Sequence, residues 1–70
     1  MTSNQFVNAH QTLGWTHAKL AEMLGVSRRC TYRYQNGDTI PEPVQRLLRL
    51  LVMMRLTTSK DNFEKFVQRL

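Results

Sequence analysis

Apolar residues recur along this chain at the three- and four-residue spacing of amphipathic α-helices, and no segment shows the alternation typical of a β-strand. The helix boundaries follow from residues that favour helix ends, with Ser or Thr before the first turn and glycine just past the last. These signals predict five helices, at about residues 4–13, 17–24, 28–35, 44–56 and 60–69. The pattern therefore predicts an all-α fold.

The second and third predicted helices are separated by only three residues, Gly25, Val26 and Ser27. Two helices joined by such a short turn around a glycine must cross steeply and cannot lie antiparallel. The residues expected to fill the wedge between them are Leu20, Ala21, Leu24, Val26, Thr31 and Tyr34. Thr31 would bury a hydroxyl there, so it needs a hydrogen-bond partner such as a carbonyl one turn back.

The segment from Trp15 to Gly37 resembles the helix-turn-helix of the Cro/CI-type (XRE) family of phage and bacterial regulators. The positions that match the family pattern, in register and without a gap, are Thr16, Leu20, Ala21, Leu24, Gly25, Val26, Ser27, Arg28 and Gly37. The resemblance covers about residues 4–56. Within the predicted five helices it implies a Cro/CI-type helix-turn-helix fold, with a DNA-binding domain over residues 1–56. The C-terminal helix, over residues 57–70, lies outside the shared pattern and is assigned to dimerisation from its apolar residues.

The resemblance also implies that the third helix lies in the major groove of DNA. The residues then expected to contact base edges are Arg28, Arg29, Tyr32 and Arg33, and those expected at the DNA backbone are His17, Lys19, Ser27 and Asn36. His17 stands where the family often has a glutamine that braces the recognition helix, a role open to a ring nitrogen. Because arginine is the usual bidentate partner of guanine, half-sites that contain guanine are expected.

The charge of the chain agrees with a nucleic-acid ligand. The 70 residues contain ten Lys plus Arg and five Asp plus Glu, which gives a formal net charge of +5 and a pI near 10.2. The segment from Arg28 to Arg55 holds six Arg and two acids, so it carries +4 of that charge. Such concentration on the motif is typical of a DNA-binding surface, although Arg46, Arg49 and Arg55 are also consistent with an ordinary solvated helix face.

Several classes of protein are disfavoured by composition. The one cysteine, Cys30, permits no internal disulfide and favours a reducing compartment, and its place between arginines leaves a redox role open. The longest apolar run, Leu50 to Met54, is too short to cross a membrane. His10 and His17 lack metal-ligand partners, and no catalytic constellation is present, so no metal, cofactor or enzymatic activity is expected. We expect a cytoplasmic, nucleoid-associated protein of a bacterium or phage-infected host.

The fourth and fifth predicted helices contain more apolar residues than a chain of this length can bury by itself. The surplus residues assigned to a dimer interface are Leu50, Met53, Leu56, Phe63, Phe66, Val67 and Leu70. A two-fold homodimer built on them would place two recognition helices about 34 Å apart, one turn of B-DNA. The alternative is a monomer in which the fifth helix folds back over the fourth.

Together these features indicate a sequence-specific DNA-binding transcriptional repressor that acts as a homodimer on an inverted-repeat operator. The chain is similar to phage Cro-like proteins and to anti-CRISPR-associated (Aca) repressors, which implies autoregulation by blocking polymerase. One alternative is an antitoxin whose main partner is a toxin protein, held through the fifth helix or the N-terminal arm. Another is binding to RNA, or to nucleic acid without sequence preference.

Overall fold

The computed structural model of the chain describes residues 1–69, and those residues form five α-helices and no strand. The helices are α1 Ser3–Leu13, α2 His17–Leu24, α3 Arg28–Gln35, α4 Glu42–Thr57 and α5 Lys60–Gln68. The predicted all-α fold is confirmed. Helix α4 begins two residues earlier than expected, because Pro43 is tolerated in the first turn, where no intrahelical N–H bond is lost. In residues 1–69, no helix is long and apolar enough to cross a membrane.

Four of the five helices, α1, α2, α3 and α5, are capped at their starts by Ser or Thr side chains, as the sequence pattern indicated. Thr16 and Ser27 precede α2 and α3, and their oxygens accept hydrogen bonds from backbone N–H groups in the first turn. A reciprocal pair of hydrogen bonds between Thr2 and Gln5 caps α1. Gly25, with a φ of 71°, ends α2 in the left-handed conformation that glycine adopts without steric cost. Local interactions therefore define the α2–α3 turn.

All five helices contribute to a single hydrophobic core. Its buried members are Phe6, Ala9, Leu13, Leu20, Leu24, Tyr34, Ile40, Val44, Leu48, Leu51, Phe63 and Val67. The rings of Phe6 and Tyr34 meet edge to face, with centroids 5.7 Å apart, and this contact joins α1 to α3. The buried positions of α1 are Phe6, Ala9 and Leu13, whereas Val7 is only half-buried. The small alanine side chain sits on the α1 face that packs against α4.

Helix α5 packs onto the rest of the chain, and this corrects part of the predicted interface. Phe63 is 1% exposed and stacks on Trp15, with ring centroids 5.8 Å apart, while the Trp15 indole donates to Glu64 at 3.3 Å. Val67 is also buried. Phe63 and Val67 are therefore core residues of the chain itself and are not available to a second copy in this conformation. Leu70 lies outside the described residues.

The other predicted interface residues are exposed. Leu50, Met53 and Leu56 on α4, here called the α4 patch, are 53%, 61% and 70% exposed, and Phe66 is 40% exposed. Beside the α4 patch lies an open groove of about 420 Å³, lined mainly by apolar side chains of α4 with Met1 and Ala9. Large apolar side chains rarely remain in contact with water as a contiguous group without a partner.

Candidate nucleic-acid interface

The exposed face of α3 brings together the residues predicted to contact base edges. Thr31 and Tyr34 are buried, and at about 100° per residue they occupy one side of the helix. The opposite side carries the exposed residues Arg28, Arg29, Tyr32, Arg33 and Asn36, here called the α3 face. No acidic residue lies within α3. The α3 face therefore presents three guanidinium groups, a phenol and an amide, all of them able to donate hydrogen bonds to anions or base edges.

His17 lies at the α2–α3 crossing and not on an open surface. Its Nδ1 is 3.0 Å from the Thr31 hydroxyl, and that hydroxyl donates its proton to the Arg28 carbonyl at 2.7 Å. Since a hydroxyl has one proton, His17 Nδ1–H is the donor to Thr31. The expected carbonyl partner of buried Thr31 is thus confirmed, and so is the bracing of α3 by His17.

Aromatic contacts extend this crossing from α1 to the α3 face. The His17 ring stacks on the Tyr32 ring, with centroids 4.0 Å apart, and meets the His10 ring edge to face at 4.6 Å. His10 Nε2 donates in turn to the Trp15 carbonyl at 2.6 Å. Tyr32 is therefore supported from below by a histidine on α2, which restricts the position of an exposed side chain on the α3 face.

The surroundings of His17 disfavour its charged form. Partial burial lowers the pKa of His17, and the positive charges of His10 and Arg28 lower it further. A neutral imidazole that donates from Nδ1 has no proton on Nε2, so it cannot donate to a phosphate oxygen. Through the Thr31 contact His17 supports α3, and contact of its second ring nitrogen with the DNA backbone stays a prediction.

The other predicted backbone contacts differ in accessibility. The Ser27 oxygen accepts from the Cys30 N–H at 3.4 Å and its hydroxyl donates to the Cys30 sulfur at 3.3 Å, so Ser27 is used within the first turn of α3. This hydrogen bond also holds the pKa of the Cys30 thiol below its ordinary value. Asn36 is exposed at the end of α3, and Lys19 is half-buried on α2. Ser27 and Asn36 are thus both exposed, and of the two only Ser27 has its side chain hydrogen-bonded within residues 1–69.

Arg33 has a partner that the sequence pattern did not indicate. Its Nε donates to Asp38 Oδ2 at 2.6 Å, and the Asp38 carboxylate raises the pKa of the Arg33 guanidinium. Arg28 and Arg29 form no ion pair with any residue of 1–69. A five-residue separation is not a helical contact spacing, so periodicity gives no signal for this pair.

Comparison with protein-family models, curated proteins and solved structures found no match for this chain. Any inference about the ligand of the α3 face therefore depends on the residues of that face alone. A rigid, positively charged helix face that is rich in bidentate donors is suited to phosphates and to guanine edges.

Proposed function

We propose that this protein is a sequence-specific DNA-binding transcriptional repressor that acts as a homodimer on an inverted-repeat operator. The observation that carries the proposal is the α3 face, where Arg28, Arg29 and Arg33 project from one side of a helix without acidic residues. The opposite side of the same helix is anchored by buried Thr31 and Tyr34. A fixed helix with a basic outer face is the arrangement that major-groove recognition requires.

The dimensions and chemistry of α3 favour the major groove over other ligand sites. An α-helix with its side chains is about 10–12 Å across, close to the width of about 12 Å of the B-DNA major groove. Arginine donates two parallel hydrogen bonds to O6 and N7 of guanine, and tyrosine can pack on a thymine methyl or bond a phosphate. Binding through the α3 face would thus be selective for sites that contain guanine.

The overall charge supports a polyanionic partner. The net charge of +5 comes mostly from the segment that includes α3 and α4, where Arg46 and Arg49 are exposed as well. Each phosphate neutralised by a cation releases condensed counterions, so affinity should fall steeply as salt concentration rises. This electrostatic contribution is independent of sequence and adds to base-specific contacts.

The homodimer is proposed from the α4 patch. Leu50, Met53 and Leu56 are exposed on one helix that also contributes Leu48 and Leu51 to the core. A two-fold axis brings the same patch of a second copy against it, so apolar area is removed from water on both subunits at once. Two copies of α3 about 34 Å apart would then contact successive major grooves on one side of a palindrome.

In this proposal the bound dimer represses by occupying promoter DNA and excluding polymerase, and one of its targets is the promoter of its own gene. The resemblance of the Trp15–Gly37 segment to Cro/CI-type regulators supports this part of the proposal. The finer assignment, to phage Cro-like or anti-CRISPR-associated repressors, rests on the same resemblance and on the short chain. A cytoplasmic, nucleoid-associated location follows from it.

The experiment that tests the proposal is selection of binding sites from a pool of random DNA duplexes with the purified chain. We expect an inverted repeat with guanine in each half-site and a half-site spacing near one helical turn. Competition in a mobility-shift assay then compares the selected duplex with a scrambled duplex of the same composition. Equal displacement by the two competitors would rule out sequence-specific binding.

Sedimentation at micromolar concentration tests the dimer independently of DNA. We expect a species of twice the chain mass of 8.2 kDa. A single species of 8.2 kDa would contradict the homodimer. A stable complex with a second small polypeptide in place of a self-dimer would favour the antitoxin alternative.

A further inference from the structure

We propose that Asp38 is a specificity-determining positioning residue, which holds the Arg33 guanidinium in the orientation that recognises guanine and disfavours non-specific phosphate contact. The inference deepens the proposed function and rests on it, because it requires that the α3 face contacts DNA. It starts from the one side-chain hydrogen bond that a residue of that face makes within residues 1–69, the 2.6 Å bond from Arg33 Nε to Asp38 Oδ2.

The position of Asp38 is fixed by the backbone that follows α3. Gly37 has a φ of 106°, a conformation that L side chains rarely adopt, and it turns the chain back toward the helix. The Asp38 N–H then donates to the Arg33 carbonyl at 3.0 Å. Asp38 is thus bonded to Arg33 twice, once through the backbone and once through the side chains, so the carboxylate is held beside the guanidinium.

This contact determines which donors of Arg33 remain available. A guanidinium has five N–H donors, and the bond to Asp38 uses the one on Nε. The four on the two terminal nitrogens remain, and a pair of these matches the O6 and N7 acceptors of guanine end-on. Because Asp38 Oδ2 fixes the plane of the group, less side-chain freedom is lost when Arg33 binds a base.

Stability does not account for the pair. The side chains of Arg33 and Asp38 are 64% and 50% exposed, and ion pairs with this exposure contribute little to folding. Arg28 and Arg29, on the same face, have no carboxylate partner within residues 1–69. A carboxylate beside Arg33 also repels phosphate oxygens, so it penalises backbone contacts that do not depend on sequence.

The test compares Asp38→Ala with a matched control, Glu42→Gln. Glu42 pairs with Arg46 at 3.3 Å on the exposed surface of α4 and makes no hydrogen bond to a residue of the α3 face, and the substitution removes the same single negative charge. Affinities are measured for the selected operator, for operators with single base-pair changes, and for a scrambled duplex. The base pair that depends on Arg33 is located first with Arg33→Ala.

We expect Asp38→Ala to lower discrimination at that base pair about tenfold, while affinity for the scrambled duplex stays equal or rises. Glu42→Gln should leave discrimination unchanged. The double variant Arg33→Ala with Asp38→Ala should discriminate no worse than Arg33→Ala alone, because Asp38 acts only through Arg33. Asp38→Asn, which keeps a weaker neutral acceptor, should fall between wild type and Asp38→Ala.

The outcomes separate this inference from the proposed function. If the wild-type chain prefers one operator and Asp38→Ala keeps that preference in full, the role of Asp38 is refuted while DNA recognition stands. If Asp38→Ala raises affinity for every duplex equally, Asp38 is only a repulsive charge and the inference is also overturned. If the wild-type chain shows no preference at all, the proposed function itself fails.

Discussion

The α3 face and the α4 patch are both solvent-exposed surfaces of helices that share one core, yet their chemistry is opposite. The α3 face carries three arginines and no acid, whereas the α4 patch exposes Leu50, Met53 and Leu56 at 53%, 61% and 70%. Packing within the chain explains the residue types on the buried side of each helix, but it does not explain those on the exposed sides. The proposed function explains this difference by two partners of different chemistry, a polyanion for the α3 face and an apolar surface for the α4 patch.

The two surfaces should also respond differently to solution conditions. Binding through charges weakens as salt screens them and releases counterions, so contacts of the α3 face should be strongly salt-dependent. In the proposed dimer, burial of the α4 patch would be driven by the hydrophobic effect, so association should depend on protein concentration and little on salt. Substitutions in the α4 patch should therefore leave the salt dependence of DNA binding unchanged, and substitutions on the α3 face should leave the concentration dependence of self-association unchanged.

The largest effect is expected from a charge placed in the α4 patch. Met53→Glu should give a monomer, because a carboxylate would be buried without a partner where two copies meet. Met53 is 61% exposed in the single chain, so the fold should tolerate the change. Loss of the second half-site contact should lower affinity for the full inverted repeat about 100-fold or more, measured by mobility shift beside sedimentation.

The matched control for Met53→Glu is Gln11→Glu, which adds the same charge at an exposed position of α1. Gln11→Glu should remain dimeric and lose little affinity. If Met53→Glu sediments like wild type, the α4 patch is not the contact between copies. Affinity of Met53→Glu for an isolated half-site should stay close to wild type, since the α3 face is intact.

A smaller but more selective effect is expected on the α3 face. Arg29→Ala should cost about 1–3 kcal/mol at the selected operator and relax preference at one base pair, because a bidentate base contact is lost. Arg46→Ala removes the same charge from the exposed surface of α4. It should weaken binding to all duplexes alike and reduce the salt dependence. Equal base preference in Arg29→Ala and wild type would argue against recognition by the α3 face.

The same contrast separates what the sequence could and could not predict. The limits of α2 and α3 followed from Thr16, Gly25 and Ser27, because caps and left-handed turns are local interactions. The exposure of the α4 patch also followed from periodicity. Burial of Phe63 could not be predicted in this way. The apolar residues of α5 have the same spacing whether they face a second copy or, as found for Phe63, Trp15 of the same chain.

Prediction of the site was limited in the same way. Helical spacing alone predicts that the residues expected to contact base edges share one exposed face. The Asp38 contact with Arg33 depends on the conformation of Gly37, and the stacking of His17 on Tyr32 depends on how α2 crosses α3. Such contacts depend on tertiary geometry and follow no fixed residue spacing, so they cannot be predicted from a single sequence.

A third substitution tests whether the α3 face depends on the support beneath it. Thr31→Val keeps the shape of the side chain but leaves His17 Nδ1–H without its acceptor, at a cost of about 1–2 kcal/mol of folding free energy. A domain of this size should then melt about 4–8 °C lower for each kcal/mol lost. Thr39→Val, in an exposed loop, is the control and should not change the melting temperature. An unchanged melting temperature in Thr31→Val would show that the His17 contact is dispensable.

The smallest effect is a pH dependence of stability that originates at the same crossing. Burial, His10 and Arg28 lower the pKa of His17 in the folded chain. Between the folded and the unfolded pKa of His17, the unfolded chain therefore binds more protons than the folded chain. The stability from neutral His17 is complete above the unfolded pKa of about 6.5 and is lost as pH falls from there toward the lowered folded value. The melting temperature should therefore decrease from pH 7.5 to pH 5, and His17→Gln should reduce that slope. The groups that face His17 lie within α1, α2 and α3, so Met53→Glu should retain the full pH dependence of the melting temperature. If His17→Gln shows the same pH dependence as wild type, the titrating group lies elsewhere.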